Sequence, residues 1–305
     1  MNSKYNDQDK TVICVVMLGL LGDVLMRTPV VRELKNLFPN SLIICIADPI
    51  GAEVLRLNKN VDLIWIVNRK RKNLVRYIKE KAKIIALVLL KKFDFFIDLY
   101  GGSFFRSIAL FIRAEKMVFV TGLSIELLPK PQQIDRFAKL NFKNPYHLSN
   151  TCLQAISYTT NKVFNLSTRP DVDTRLVSIQ LPRRQELYSR FSSREFCFIS
   201  AGSGDLEKTM PRDILVDLLA WINRVHALRL AILCNPGQEF LQKEISDQLK
   251  TREVPHLCVE KLSIQELSLV LPLGRLFVVP DTGLFHLAVA LDICTLGILH
   301  TLIQS

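Results

Sequence analysis

Apolar and polar positions along this chain change period repeatedly, and the pattern predicts strand followed by helix in two series. Thr11–Leu18 is a continuous apolar run that reads as a strand buried on both faces. A glycine-bearing turn follows. A helix is then expected from about Asp23 to Phe38, with Val24, Leu25, Val31, Leu34 and Phe38 at helical spacing and Pro39-Asn40 ending it. Ser41–Ala47, Val61–Val67 and Phe93–Leu99 read as further strands with helical stretches between them. Met117–Thr121 reads as a short strand before a mixed stretch to about Tyr158. From Asn161 to Glu195 the pattern gives way to polar, proline-containing sequence around Ser167–Pro170 and Leu181-Pro182. The alternation then restarts. Strands are expected at Phe196–Ser200, Leu228–Cys234, Arg275–Val279 and Ile293–Leu299, and helices at Pro211–Val225, Gln238–Leu249, Ile264–Leu271 and Gly283–Leu291.

Two such series predict an α/β protein of two Rossmann-like parallel-sheet domains facing each other across a cleft. The expected boundaries are 1–165 for the first domain, 166–195 for a linker and 196–305 for the second. Ligands in such sheets bind beyond the carboxyl ends of the strands, so the polar turns there are where chemistry is sought.

Composition narrows the class. The 305 residues are 49% hydrophobic and 23% charged, too apolar for disorder, and they show no repeat period. The longest apolar runs, Val12–Leu18 and Ile84–Leu90, fall far short of the roughly 20 residues of a membrane-spanning helix. Met1–Lys10 is polar and lacks the apolar core of a secretion signal, so a cytoplasmic protein is expected. Cys14, Cys45, Cys197 and Cys234 lie inside strand-like runs without C-x-x-C spacing, which reads as reduced core thiols and not as disulfides or metal ligands.

Charge is unevenly distributed. Residues 1–150 carry 24 Lys/Arg against 13 Asp/Glu, and residues 151–305 carry 16 of each, so the whole net charge of +11 lies in the first half. It is densest in Arg69–Lys92, where ten bases accompany one acid, Glu80. The bases there alternate with Ile, Leu and Val, which suits a helix lying on an anionic head-group layer, although a solvated helix face has the same pattern. Nucleic acid is the weakest partner class, because no aromatic interleaving or nucleic-acid motif accompanies the charge.

Three turns carry candidate chemistry. Gly19, Gly22 and Asp23 follow the first strand; glycines permit close backbone approach and the helix start offers free N–H groups to an anion. Neither a dinucleotide fingerprint nor a P-loop is present. Asp23 reads either as a helix cap or as a general base at the mouth of the cleft. The second turn, Ser200–Lys208, sets small residues including Ser203 beside Lys208, which suits a phosphate; a surface loop is the alternative. In the third, Asp281-Thr282-Gly283 ends an apolar strand and His286 falls one turn into the following helix. Amides, a hydroxyl and an imidazole converge there on a possible diphosphate site. Two other acid pairs are set aside. Asp171-Val172-Asp173 resembles a metal–nucleotide D-x-D but lies in the polar linker, and Asp94 and Asp98 simply bracket a strand.

Taken together, Leu18–Pro29, the Gly202–Pro211 loop and Asp281–His286 resemble glycosyltransferase family 9, the ADP-heptose:lipopolysaccharide heptosyltransferases, in order from about Val12 to Leu299. The resemblance implies a GT-B fold whose first domain binds the acceptor and whose second binds the nucleotide sugar, with inversion at the anomeric carbon and no metal or other cofactor. It assigns Asp23 as the base on the acceptor hydroxyl. Lys208, the Thr282-Gly283 amides and His286 are assigned to the donor diphosphate, with Ser203 in the same loop and Asp281 orienting its turn. An anionic lipid-linked acceptor on the cytoplasmic face of the inner membrane then gives the basic first half a purpose.

Three departures are visible. Thr209-Met210 stands where the family usually has a tryptophan or similar residue, Arg27 where small or polar residues are common, and Leu299–Leu302 where members usually continue into a further loop and helix. The expectation is a C-terminally short member, with a weak or inactive paralogue that only binds nucleotide or glycan as the alternative. A nicotinamide-dependent dehydrogenase is the remaining reading; it requires Asp48, at the end of the second strand, to bind a ribose.

Overall fold

The computed structural model describes residues 10–68, 74–121, 124–128, 138–141, 152–154, 156, 157, 160, 169–193, 195–202, 210–234 and 237–298. The chain forms two compact units, Met1–Asp171 and Val172–Ser305.

The first unit is built on a sheet of strands β1 (Val12–Val16), β2 (Leu42–Ala47), β3 (Leu63–Ile66), β4 (Phe93–Asp98), β5 (Ala114–Thr121), β6 (Ser124–Leu128) and β7 (Ala138–Asn141), in the order β3-β2-β1-β4-β5-β6-β7. The four pairings among β1–β5 are parallel, as the βαβ pattern expects. The last two strands differ: β6 pairs with β5, and β7 with β6, in antiparallel register within the stretch whose pattern was mixed. β1 is buried on both faces, as a continuous apolar run at the middle of a parallel sheet must be. Cys14, Val16 and Leu18 pack with Phe93, Phe96, Phe105 and Phe119 into a single core.

Helices α1 (Leu21–Leu37), α2 (Pro49–Leu55), α3 (Leu74–Leu90) and α4 (Ser103–Ser107) link these strands. α1 starts two residues before the expected position and runs through Pro29, a residue that usually ends a helix. The reason is local. Proline has no N–H to give the Leu25 carbonyl one turn back, and the Thr28 hydroxyl donates to that carbonyl instead, at 2.7 Å. The same hydroxyl accepts the Asp171 N–H at 2.7 Å, so the Thr-Pro pair costs the helix no unsatisfied group at this point.

The second unit holds β8 (Phe196–Ile199), β9 (Arg229–Ile232), β10 (His256–Cys258), β11 (Leu276–Pro280) and β12 (Thr295–Ile298), all parallel, in the order β10-β9-β8-β11-β12. The three-residue β10 is too short to leave a periodic trace in the sequence. Helices α5 (Leu181–Phe191), α6 (Arg212–His226), α7 (Glu239–Thr251), α8 (Ile264–Val270) and α9 (Gly283–Ala290) complete it.

Helix α5 corrects the expectation of a linker over 166–195. Pro182 sits in its first turn, where proline is favoured, and Phe191 is buried against Phe196 and Phe198 at ring distances of 5.4 Å. Arg183 fastens the helix to the second unit by pairing with Glu266 at 2.7 Å and Glu260 at 3.0 Å. All seven cysteines are free; Cys14, Cys45 and Cys197 are buried, and Cys234 is half-buried.

Candidate active site

Each sheet has one place where strand order reverses. In the first unit the chain runs outward from β1 through β2 to β3 and returns to β4 on the other side of β1. The turns after β1 and β4 therefore lie side by side at the carboxyl end of the sheet. In the second unit the reversal lies between β8 and β11, which neighbours the ends of Phe196–Ile199 and Leu276–Pro280. The first and third motif turns, and the start of the second at Ser200–Gly202, thus sit where parallel sheets open a crevice for ligands.

The first turn is tightly specified. Gly19 has φ +141, a conformation that favours glycine, and a Cβ there would lie 2.8 Å from Asp23 Oδ2. Its N–H donates to Asp48 Oδ2 at 3.0 Å, which uses Asp48 as a brace for the turn. Gly22 is buried in the first turn of α1. Asp23, the third residue of α1, accepts the Leu20 N–H at 3.0 Å, so it does cap the helix. Capping and catalysis are compatible, since a carboxylate has two oxygens and several acceptor positions.

Beside this turn lie residues that the sequence reading did not select. Asp98 closes β4, opposite Val16 of β1, and is fully buried. Its Oδ1 accepts the N–H groups of Tyr100 at 2.9 Å and Gly101 at 3.2 Å, while Oδ2 has no hydrogen-bond partner. Burial pushes its pKa up to about 6, against the two backbone hydrogen bonds and the nearby Arg27 charge, which lower it. Arg27, on α1, is buried and donates to the Leu18 carbonyl at 2.5 Å. The signal for both was an acid at the end of a predicted parallel strand and a base one turn after Asp23. Only the fold shows that the Arg27 charge reaches Asp98.

A pocket of about 230 Å³ adjoins Leu18 and is lined by Val67, Lys81, Tyr100, Phe104 and Phe105 among others. Lys81 Nζ stands 4.6 Å from the centre of the Phe104 ring. An aromatic wall with a single cation suits a ring-bearing anionic molecule.

In the second unit, Thr282 occupies the N-cap position of α9 in extended backbone, but its side chain makes no capping bond, and Thr282 Oγ1 is buried without a hydrogen-bond partner. Gly283 opens the helix, and the Asp281 N–H donates to the Ile298 carbonyl at 3.2 Å, which ties the turn to β12. Gly297 on that strand allows α9 to pack closely, because a Cβ there would come 2.7 Å from the Phe285 ring. His286 is half-buried and edge-on to Phe285, with ring centres 5.7 Å apart. Ser203 and Lys208 lie outside the described residues, as do Arg69–Asn73 of the basic segment.

The acids set aside prove structural. Asp171 pairs with Arg32 at 3.0 Å, and Asp173 accepts the Arg175 N–H and pairs with its guanidinium. Asp94 accepts the Val12 N–H at 2.6 Å. Among the described residues no group of three or more His, Cys, Asp or Glu is placed to hold a metal ion.

Comparison with known proteins adds to this geometry. The family model for glycosyltransferase family 9 (heptosyltransferase) matches residues 87–300. No curated protein sequence matches the chain. Among solved structures, a glycosyl transferase family 9 protein from Veillonella parvula is similar over 94% of this chain and 80% of its own, with 18% identity and a TM-score of 0.73. The E. coli heptosyltransferase WaaC with ADP-2-deoxy-2-fluoro heptose is similar over 94% and 88%, with 15% identity and a TM-score of 0.71. E. coli ADP-heptose lps heptosyltransferase II is similar over 94% and 84%, with 15% identity and a TM-score of 0.68.

Proposed function

Because the chain belongs to glycosyltransferase family 9 and has the heptosyltransferase fold, we propose that it moves a heptose or similar sugar from an ADP-sugar to a lipopolysaccharide core or lipid A-type acceptor, with inversion and without a metal. The observation that carries this reading is the position of Asp23 and of the Thr282-Gly283 turn, each at the strand reversal of its own sheet. The structures of WaaC with ADP and with an ADP-heptose analogue support a nucleotide-sugar donor.

In this mechanism Asp23 takes the proton of the acceptor hydroxyl as its oxygen attacks the anomeric carbon. The bond from that carbon to the diphosphate oxygen breaks on the opposite face, which inverts the centre. The departing diphosphate gathers negative charge. The unspent Thr282 hydroxyl, the amides at the start of α9, His286 and Lys208 receive that charge, with Ser203 in the same loop and Asp281 holding the turn. Gly19 and Gly22 let the acceptor approach the backbone, and the pocket beside Leu18 takes part of its ring. Among the described residues no helix is long and apolar enough to cross a membrane. We assign access to a lipid-linked acceptor to peripheral contact through the basic Arg69–Lys92 region on the inner membrane's cytoplasmic face.

The test is sugar transfer from ADP-heptose to a lipid A-type core acceptor by the full chain, with and without EDTA, beside Asp23→Asn and the double variant Asp281→Ala/His286→Ala. Asp23→Asn is expected to lower kcat by roughly 10²–10⁴-fold, the range of a general base, and EDTA to have no effect. ADP at a hundred times its Kd stabilises the protein by about 2.7 kcal/mol, and the double variant loses that shift. Unchanged turnover in Asp23→Asn overturns the assignment of the base. ADP binding without any turnover replaces the reading with a nucleotide-binding paralogue.

A further inference from the structure

Arg27 is a guanidinium with 6% of its surface exposed, and burying such a charge is costly unless it holds something in place. What it holds is one peptide group. Nη1 donates to the Leu18 carbonyl at 2.5 Å, while the other end of that same peptide, the Gly19 N–H, donates to Asp48 Oδ2 at 3.0 Å. A peptide group is planar, so gripping its oxygen from one side and its hydrogen from the other fixes the orientation of the plane. The next N–H along the chain, that of Leu20, is the one that holds Asp23 Oδ2 at 3.0 Å.

The arrangement is close-packed around Gly19. The position of an added Cβ there lies within 3.3 Å of both Asp23 Oδ2 and Arg27 Nη1. Behind the turn, the Arg27 charge acts on the buried Cys152 thiol and on the buried Asp98 at the end of β4. The guanidinium therefore ties α1 to the turn after β1, with the end of β4 and Cys152 within reach of its charge.

We propose that Arg27 is a positioning residue for Asp23: by fixing the Leu18–Gly19 peptide plane it sets the Leu20 N–H, and so the direction in which the Asp23 carboxylate is presented to an acceptor hydroxyl. The inference rests on the reading of Asp23 as the base, and the experiment separates the two.

Hydrogen exchange is followed residue by residue in the full chain and in Arg27→Met and Arg27→Lys, and transfer is assayed in the same proteins and in Asp23→Asn. In Arg27→Met the Leu20 amide is expected to exchange at least tenfold faster, while the Ile13–Val16 amides of β1 keep their protection. Arg27→Lys, which retains a cation and a donor for the Leu18 carbonyl, recovers part of that protection. The kcat for transfer falls at least tenfold in Arg27→Met, whereas the Kd for ADP, which is assigned to the other unit, stays within twofold. A Leu20 amide that exchanges at the wild-type rate in Arg27→Met overturns the proposal. So does acceleration spread evenly over β1 and α1, since that marks a residue that only stabilises the unit. If Arg27→Met does not melt cooperatively, Arg27→Gln supplies the same comparison. Full turnover in Asp23→Asn overturns the reading of the base by itself, and the exchange pattern still decides whether Arg27 sets the turn.

Discussion

Asp98 shows how one buried side chain makes the first unit sensitive to pH. It is wholly buried, one of its oxygens has no partner, and burial raises its pKa from the ordinary 3.8 to about 6. A carboxyl whose pKa is raised on folding favours the native state only while it keeps its proton. Below about pH 4 the group is protonated in both states and contributes no difference. Between about 4 and 6 the folded protein holds a proton that the unfolded chain releases, so stability falls as pH rises, and above about 6 the full penalty is present. The difference in unfolding free energy between wild type and Asp98→Asn is therefore expected to move against wild type by an amount on the order of 3 kcal/mol from pH 4 to pH 7. Urea titrations of both proteins at several pH values measure it, and a pH-independent difference contradicts the assignment. Neither the burial nor the missing partner was legible in Phe93–Leu99, where the acid reads as the polar end of a strand. Arg27 was visible only as an unusual residue one turn after Asp23. The burial of Asp98 depends on β4 lying against β1, which no short window of sequence contains.

At the scale of elements, local pattern was a good guide wherever one face or a whole strand is buried. β1, β2, β4, β8 and β11 are found where continuous apolar runs placed them, because a strand in the middle of a parallel sheet must be apolar on both sides. The pattern does not show where a single side-chain contact decides the outcome. Pro29 was compatible with the expected helix only because Thr28 replaces the hydrogen bond that proline cannot make. Thr28→Val removes a buried hydroxyl that serves both the Leu25 carbonyl and the Asp171 N–H, and it is expected to destabilise the chain by about 1–3 kcal/mol. Thr28→Ser keeps the hydroxyl and loses much less. Denaturant midpoints of the two variants distinguish them. Helix α5 was hidden for a related reason: only Leu187 and Phe191 are buried in it, and its hold on the second unit comes from Arg183 and Arg190 pairing with Glu260 and Glu266, some seventy residues or more away.

Over the whole molecule, charge is the property that the sequence reports most directly, since it is a sum and needs no contacts. The excess of bases in residues 1–150 predicts attraction to anionic bilayers by the first part of the chain. Lys79 and Lys83, one turn apart on α3 and both exposed beside exposed Ile78, are suited to such contact. Replacing both with glutamine is expected to weaken binding to vesicles rich in anionic lipid on the order of thirtyfold, at about 1 kcal/mol per base. Co-sedimentation at two salt concentrations, with zwitterionic vesicles as the control, measures it, and equal binding to both kinds of vesicle contradicts the assignment. Sequence alone determined the two α/β series, the motif turns at their strand ends and the uneven charge, because apolar period, glycine-bearing turns and net charge are local or additive. Tertiary structure alone decided the strand order, and with it the neighbours of Asp23: Asp48 and Arg27 gripping one peptide, and Asp98 buried behind them. The contacts of Asp48 and Asp98 join residues tens of positions apart, and they are selected by mutual burial that only the assembled sheet provides.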